Sequence, residues 1–177
     1  NSMAYNSLRP KLQISYGRQN EPLRVPINDL LISPQAETFI TTDSIAGLSV
    51  LTVKDIQNLR INQTLFVGQE GNQGSEIVKT HTATVPTGST VTLAATTKYP
   101  HTASTGVVLI PFDQLEISQS STSTGTKTVL VTTNISAGLL YTPYLVTQYT
   151  TGFFFARWKN SISASFSPYS DATPVAG

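Results

Sequence analysis

Two carboxylate pairs, Glu70 with Glu76 and Asp113 with Glu116, have the residue types and spacing to carry acid–base chemistry. Glycoside hydrolysis is the reaction such pairs serve, one carboxyl protonating the leaving oxygen while the other attacks or activates water. That reaction also needs a cleft walled by aromatic rings, and the same region offers only Phe66, Tyr99 and Phe112. His81 and His101 are the two histidines, and neither stands at a metal-ligand spacing from another ligand. The loop GQEGNQG, Gly68 to Gly74, shares its glycines with phosphate-binding loops. It lacks their Lys-Ser/Thr step and runs through Ser75-Glu76-Ile77 into a strand rather than a helix. No G-x-S-x-G elbow and no defensible Ser-His-Asp order occurs, and the acids do not follow a calcium-loop spacing. With 0 cysteines there is no thiolate nucleophile, no thiolate metal ligand and no disulfide. The expectation is a chain that is not an enzyme and takes no cofactor or metal.

Binding residues stand out more clearly. Gly152-Phe153-Phe154-Phe155-Ala156-Arg157-Trp158 is the most aromatic stretch of the chain. Strand alternation that turns Phe154, Ala156 and Trp158 inward turns Phe153, Phe155 and Arg157 outward, and these are residue types enriched at protein interfaces. The first 26 residues add Arg9, Lys11, Arg18 and Arg24 against Glu21 alone, while the rest of the chain holds 7 basic residues against 9 acids. Four spaced cations are too few for a nucleic-acid patch. Arg9, Arg18 and Arg24 are instead candidates for contact with a neighbouring subunit. For a carbohydrate ligand the candidates are Tyr141, Tyr144, Tyr149 and Trp158, whose rings suit stacking on sugars. Asn62-Gln63-Thr64 and Asn134-Ile135-Ser136 fit the glycosylation sequon; with no signal-peptide pattern at the N-terminus they read as chance matches.

The elements that must carry these residues read as β-strands. Charged residues make up 12% of the 177, against a usual share of roughly 25%, and serine and threonine fill the gap. Hydrophobic content of 39% supports a packed core, and no apolar run approaches the ~18 residues of a membrane helix. Residues 1–36 carry Pro10, Pro22, Pro26 and Pro34 and read as an extended arm that could add to a neighbour's sheet edge. Over 37–118, strands are expected at Phe39–Thr42, Ser49–Val53, Leu59–Leu65, Glu76–Thr84, Val91–Ala94 and Val107–Ile110, with a brief helical turn at Asp55–Asn58. About six strands suffice to close or nearly close a small antiparallel barrel or sandwich. QSSTSTGT, 119–126, reads as a linker. Lys127–Thr133, Leu139–Tyr149, Thr151–Lys159 and a short last strand ending at a proline then give a small immunoglobulin-like β-domain over 127–177. The expected fold is all-β.

The span from Leu65 to Ser118 resembles a segment of structural proteins of tailed bacteriophages. In those proteins a glycine and an E-I-V strand lead to a T-x-T-L strand, a histidine and a P-x-D-Q-x-E strand. Here the matching positions are Gly74, Glu76, Ile77, Val78, Thr90, Thr92, Leu93, His101, Pro111, Asp113, Gln114 and Glu116. TGFFFARWKNSISASFSPYSDATP is similar to the segment that follows there, and to the last hairpin of fibronectin- or immunoglobulin-like domains; the match covers roughly residues 60–175. The resemblance implies a virion building block of the head–tail neck, the tail or the capsid surface. With it go other virion proteins as partners and a homo-oligomer, while the apolar runs and the sparse cations read above give the expectation of no membrane association and no specific nucleic-acid binding. The resemblance implies no catalytic residue. The alternative on the same residues is a capsid decoration or carbohydrate-binding adhesion module.

Overall fold

The structure, a computed structural model, describes residues 13–14, 22–26, 36–138, 141–145 and 152–174. The protein is all-β: every paired strand is antiparallel, and no helix occurs among the described residues. In chain order the strands are β1 (Gln13–Ile14), β2 (Pro22–Pro26), β3 (Glu37–Phe39), β4 (Val50–Thr52), β5 (Thr64–Val67), β6 (Glu76–Lys79) and β7 (Thr90–Thr92). They continue as β8 (Gly106–Ile110), β9 (Gln114–Ser120), β10 (Thr128–Asn134), β11 (Tyr141–Leu145), β12 (Phe153–Lys159) and β13 (Thr173–Pro174). The chain divides into a mid-chain unit, residues 30–111 with 136–140, and a terminal unit, residues 1–29 with 112–135 and 141–177.

In the mid-chain unit one sheet has the order β3-β8-β5-β6 and a second pairs β4 with β7. Neither sheet closes on itself. Two seams join their edges: Ile40 bridges Val53, with Thr41 N donating to Thr52 O at 3.0 Å, and Thr80 bridges Leu93, with Ala94 N donating to Lys79 O at 2.8 Å. Six strands thus enclose one core, to which Ile40, Leu51, Val53, Leu65, Val67, Val78, Val91, Leu93, Val107 and Leu109 all contribute. Strand β5, TLFV, is central in its sheet, between β6 and β8, and is buried at all four positions, so both of its faces are covered, in keeping with the apolar run Leu65–Phe66–Val67. Asp55–Asn58 forms a turn rather than a helical one, with Asp55 Oδ1 accepting from Gln57 N at 2.8 Å and Asn58 at φ 67°.

The terminal unit has a sheet of order β10-β9-β12-β13 and another of order β1-β2-β11. Two expectations change here. First, 119–126 is not a linker: Gln119 and Ser120 end β9, and the residues after them turn the chain into β10, which pairs antiparallel with β9. Small hydroxylated residues suit a hairpin turn as well as a linker, so composition alone did not separate the two. The boundary between units falls instead at 111/112, and the two units alternate along the chain rather than following one another. Second, the part of the N-terminal arm in view pairs within its own chain. Strand β2 sits between β1 and β11, with Arg24 opposite Gln13 on one side and Pro143 on the other. Prolines fall at the two ends of β2 and on the edge strand β11, where a missing N–H costs the ladder least.

Candidate interaction site and buried polar clasps

Of the titratable residues singled out above, Glu76, His101, Asp113 and Glu116 are buried and already bonded, whereas Glu70 and His81 are half-buried. Glu76, the first residue of β6, is 6% exposed. Its carboxylate accepts from Lys98 N at 2.9 Å and Tyr99 N at 3.0 Å, and lies 2.8 Å from Nε2 of His101. His101 is held in turn by its backbone, which exchanges hydrogen bonds with Ser44. Three partners converge on one carboxylate, which fastens the connection between β7 and β8 to the edge of the sheet. A buried carboxylate is tolerated when its lone pairs are filled in this way. His81 does other work: its Nδ1 accepts from Ala83 N and Thr84 N and shapes the turn after β6.

Asp113 and Glu116, the other carboxylate pair, serve two different contacts. Asp113 accepts from Ser161 N at 2.8 Å and Ser161 Oγ at 2.6 Å, tying the start of β9 to the loop after β12. Glu116 is directly opposite Arg157 across the β9–β12 ladder, and Arg157 Nε donates to its Oε1 at 2.8 Å. Two surface depressions lined by described residues of the mid-chain unit, about 270 and 560 Å³, contain none of Glu76, His101, Asp113 and Glu116. Among the described residues no three of His, Cys, Asp and Glu gather as a metal site would require.

Strand β12 carries the aromatic stretch, and alternation places Phe153, Phe155, Arg157 and Lys159 on one face as expected. That face is largely covered. The chain after β12 folds back along it, with Ser167 N donating to Trp158 O and Ser170 N to Ala156 O. The hydroxyls of Ser167 and Ser170 accept from Trp158 N and Ala156 N at 2.8 and 2.9 Å. Tyr169 meets Phe155 edge-on, centroids 6.1 Å apart, and Lys127 Nζ lies 4.4 Å from the centre of the Phe155 ring. The Arg157 guanidinium sits 3.6 Å above the Phe166 ring and 4.5 Å from that of Tyr169. Cations and rings thus interleave along the sheet, each contact drawing on the negative ring face.

These placements correct the interface and glycan sets. Phe155 is 4% exposed and Trp158 fully buried, so neither is presented to a partner or a sugar. Alternation correctly separated their faces but did not say that residues 166–170 would cover the second one. Phe153 is half-buried at the β13 end of the strand, and Arg157 is engaged by Glu116 and Phe166. Arg24 lies on β2, and Tyr141 and Tyr144 on β11 opposite Pro26 and Leu23. Arg9, Arg18 and Tyr149 lie outside the described residues. The sequence reading missed Lys127, Phe166, Tyr169 and Ser161, whose roles depend on contacts between residues up to 48 positions apart. Only the Phe-Ser-x-Tyr-Ser pattern of 166–170 against the alternation of β12 could have hinted at them. No protein-family model, no curated protein and no solved structure matches the chain.

Proposed function

We propose that this chain is a non-enzymatic structural component of a bacteriophage virion, at the neck, the tail or the capsid surface, and that it acts by assembling with copies of itself and with other virion proteins. The observation that carries this reading is the use to which the pattern residues are put. Glu76, His101, Asp113 and Glu116 are each buried and each fasten a loop or a strand. The residues that resemble the phage segment are thus the fastenings of a rigid β-scaffold. What remains outside is rich in serine and threonine, poor in charge, and dotted with apolar side chains such as Ile45, Val85 and Val129. Such a surface suits extended contact with neighbouring subunits better than solvation of an isolated domain.

The carbohydrate alternative loses its best ring, because Trp158 is fully buried. Light scattering across a concentration series, with co-sedimentation on empty capsids and on tails, tests the assembly reading. The expected result is a discrete oligomer or stable association with particles. A chain that stays monomeric and sediments with neither overturns the proposal.

A further inference from the structure

The four-stranded sheet of the terminal unit has two edges that are treated very differently. Beyond β12 the edge is closed by β13, two residues long and ending at Pro174, and by the hydroxyls of Ser167 and Ser170. The other edge is β10, seven residues of sequence TVLVTTN, and no strand among the described residues pairs with its far side. Natural edges are protected by shortness, proline, lysine or a covering segment. The three-stranded sheet follows that rule: β1 has two residues, and β11 carries Pro143. Between Thr128 and Asn134 there is no proline and no charge, and Val129 is 51% exposed. A register shift between Val129 and Val131 leaves Val131 to Asn134 as the regular stretch.

The ladder fixes which groups of that stretch are free. Ile135 N donates inward to Asp113 O, so by the two-residue period Thr133 and Val131 also turn their N–H and C=O toward β9. Thr132 and Asn134 turn theirs outward. We propose, building on the assembly reading, that this edge binds β10 of a second copy, antiparallel across a two-fold axis at Thr133. Thr132 of each strand then exchanges main-chain hydrogen bonds with Asn134 of the other. The occupant is a second copy because an uncharged strand meets no like charge in its own image, and because two identical free edges satisfy one another without leaving either exposed. The two four-stranded sheets become one continuous sheet.

The chain has no cysteine, so a single introduced one reports only on itself. At a non-hydrogen-bonded antiparallel pair the Cα atoms approach to about 4.5 Å, within disulfide range. Thr133→Cys should therefore give a disulfide-linked dimer under mild oxidation, even if the free dimer is weak. Val85→Cys, 62% exposed in the mid-chain unit, should not. Thr132→Pro removes an outward N–H that bonds to no described residue, and should abolish the dimer in sedimentation with the far-ultraviolet circular dichroism unchanged. No cross-link through Thr133→Cys, or equally fast cross-linking through Val85→Cys, overturns the proposal. A chain that binds capsids or tails while Thr133→Cys stays monomeric removes the strand pairing and leaves the assembly reading intact. Cross-linking through Thr133→Cys in a chain that binds no particle supports the pairing and counts against the virion role.

Discussion

Glu76 holds the connection between β7 and β8 with a carboxylate that accepts two backbone N–H groups and faces a histidine ring. Glu76→Gln keeps the size but turns one acceptor into a donor facing other donors. The expected loss is about 2 kcal/mol, read as a lower urea midpoint at unchanged slope. An unchanged midpoint would mean that the carboxylate does not hold the loop. Arg157 poses a different problem, because its guanidinium both pairs with Glu116 and sits over the Phe166 ring. Arg157→Lys keeps the charge and loses the plane, for an expected cost of about 1 kcal/mol. Arg157→Ala leaves a buried carboxylate unpaired and should cost about 3 kcal/mol. Equal effects of the two substitutions would show that the guanidinium group, not its charge, is all that counts, whereas a lysine variant as stable as the wild type would show the reverse. The sequence identified the acids as residues of note, yet it could not show that their partners lie across a ladder or in a distant loop.

At the scale of elements, strands with a strong pattern were legible. β6, β8 and β12 fall where period-2 alternation or short apolar runs put them, and GQEGNQG is the turn between β5 and β6. Gly68 opens that turn at φ +116°, and a Cβ there would run into the Ser75 side chain, whose Oγ bonds both backbone groups of Gln69. Gly68→Ala should therefore destabilise by about 1–3 kcal/mol. The loop after β12 offers the opposite case. Ala164 holds φ +58° while its N–H donates to Asn160 O, so Ala164→Gly should stabilise by about 1 kcal/mol. A neutral or destabilising result in thermal unfolding would show that this backbone carries no strain. What the sequence hid was pairing order. Strand β9 looks like the end of the first domain by proximity, but its partners are β10 and β12. Nothing local distinguishes a Ser/Thr-rich hairpin turn from a Ser/Thr-rich linker.

For the whole molecule, the chain passes between its two units at 29/30, 111/112, 135/136 and 140/141, so neither is a contiguous segment that could be cut away. The sequence implied two β-bodies and missed this interleaving, because long-range pairing of β2 with β11 leaves no compositional trace. Each unit still has a core of its own, and the chain's single tryptophan, Trp158, is fully buried in the terminal one. Indole emission is therefore an optical reporter for that unit alone, while far-ultraviolet ellipticity sums both. Leu51→Ala, deep in the mid-chain core, should cost that unit about 2–5 kcal/mol. It should shift the ellipticity transition while the emission midpoint stays in place. Emission and ellipticity moving together would mean that the four covalent crossings make the two cores melt as one.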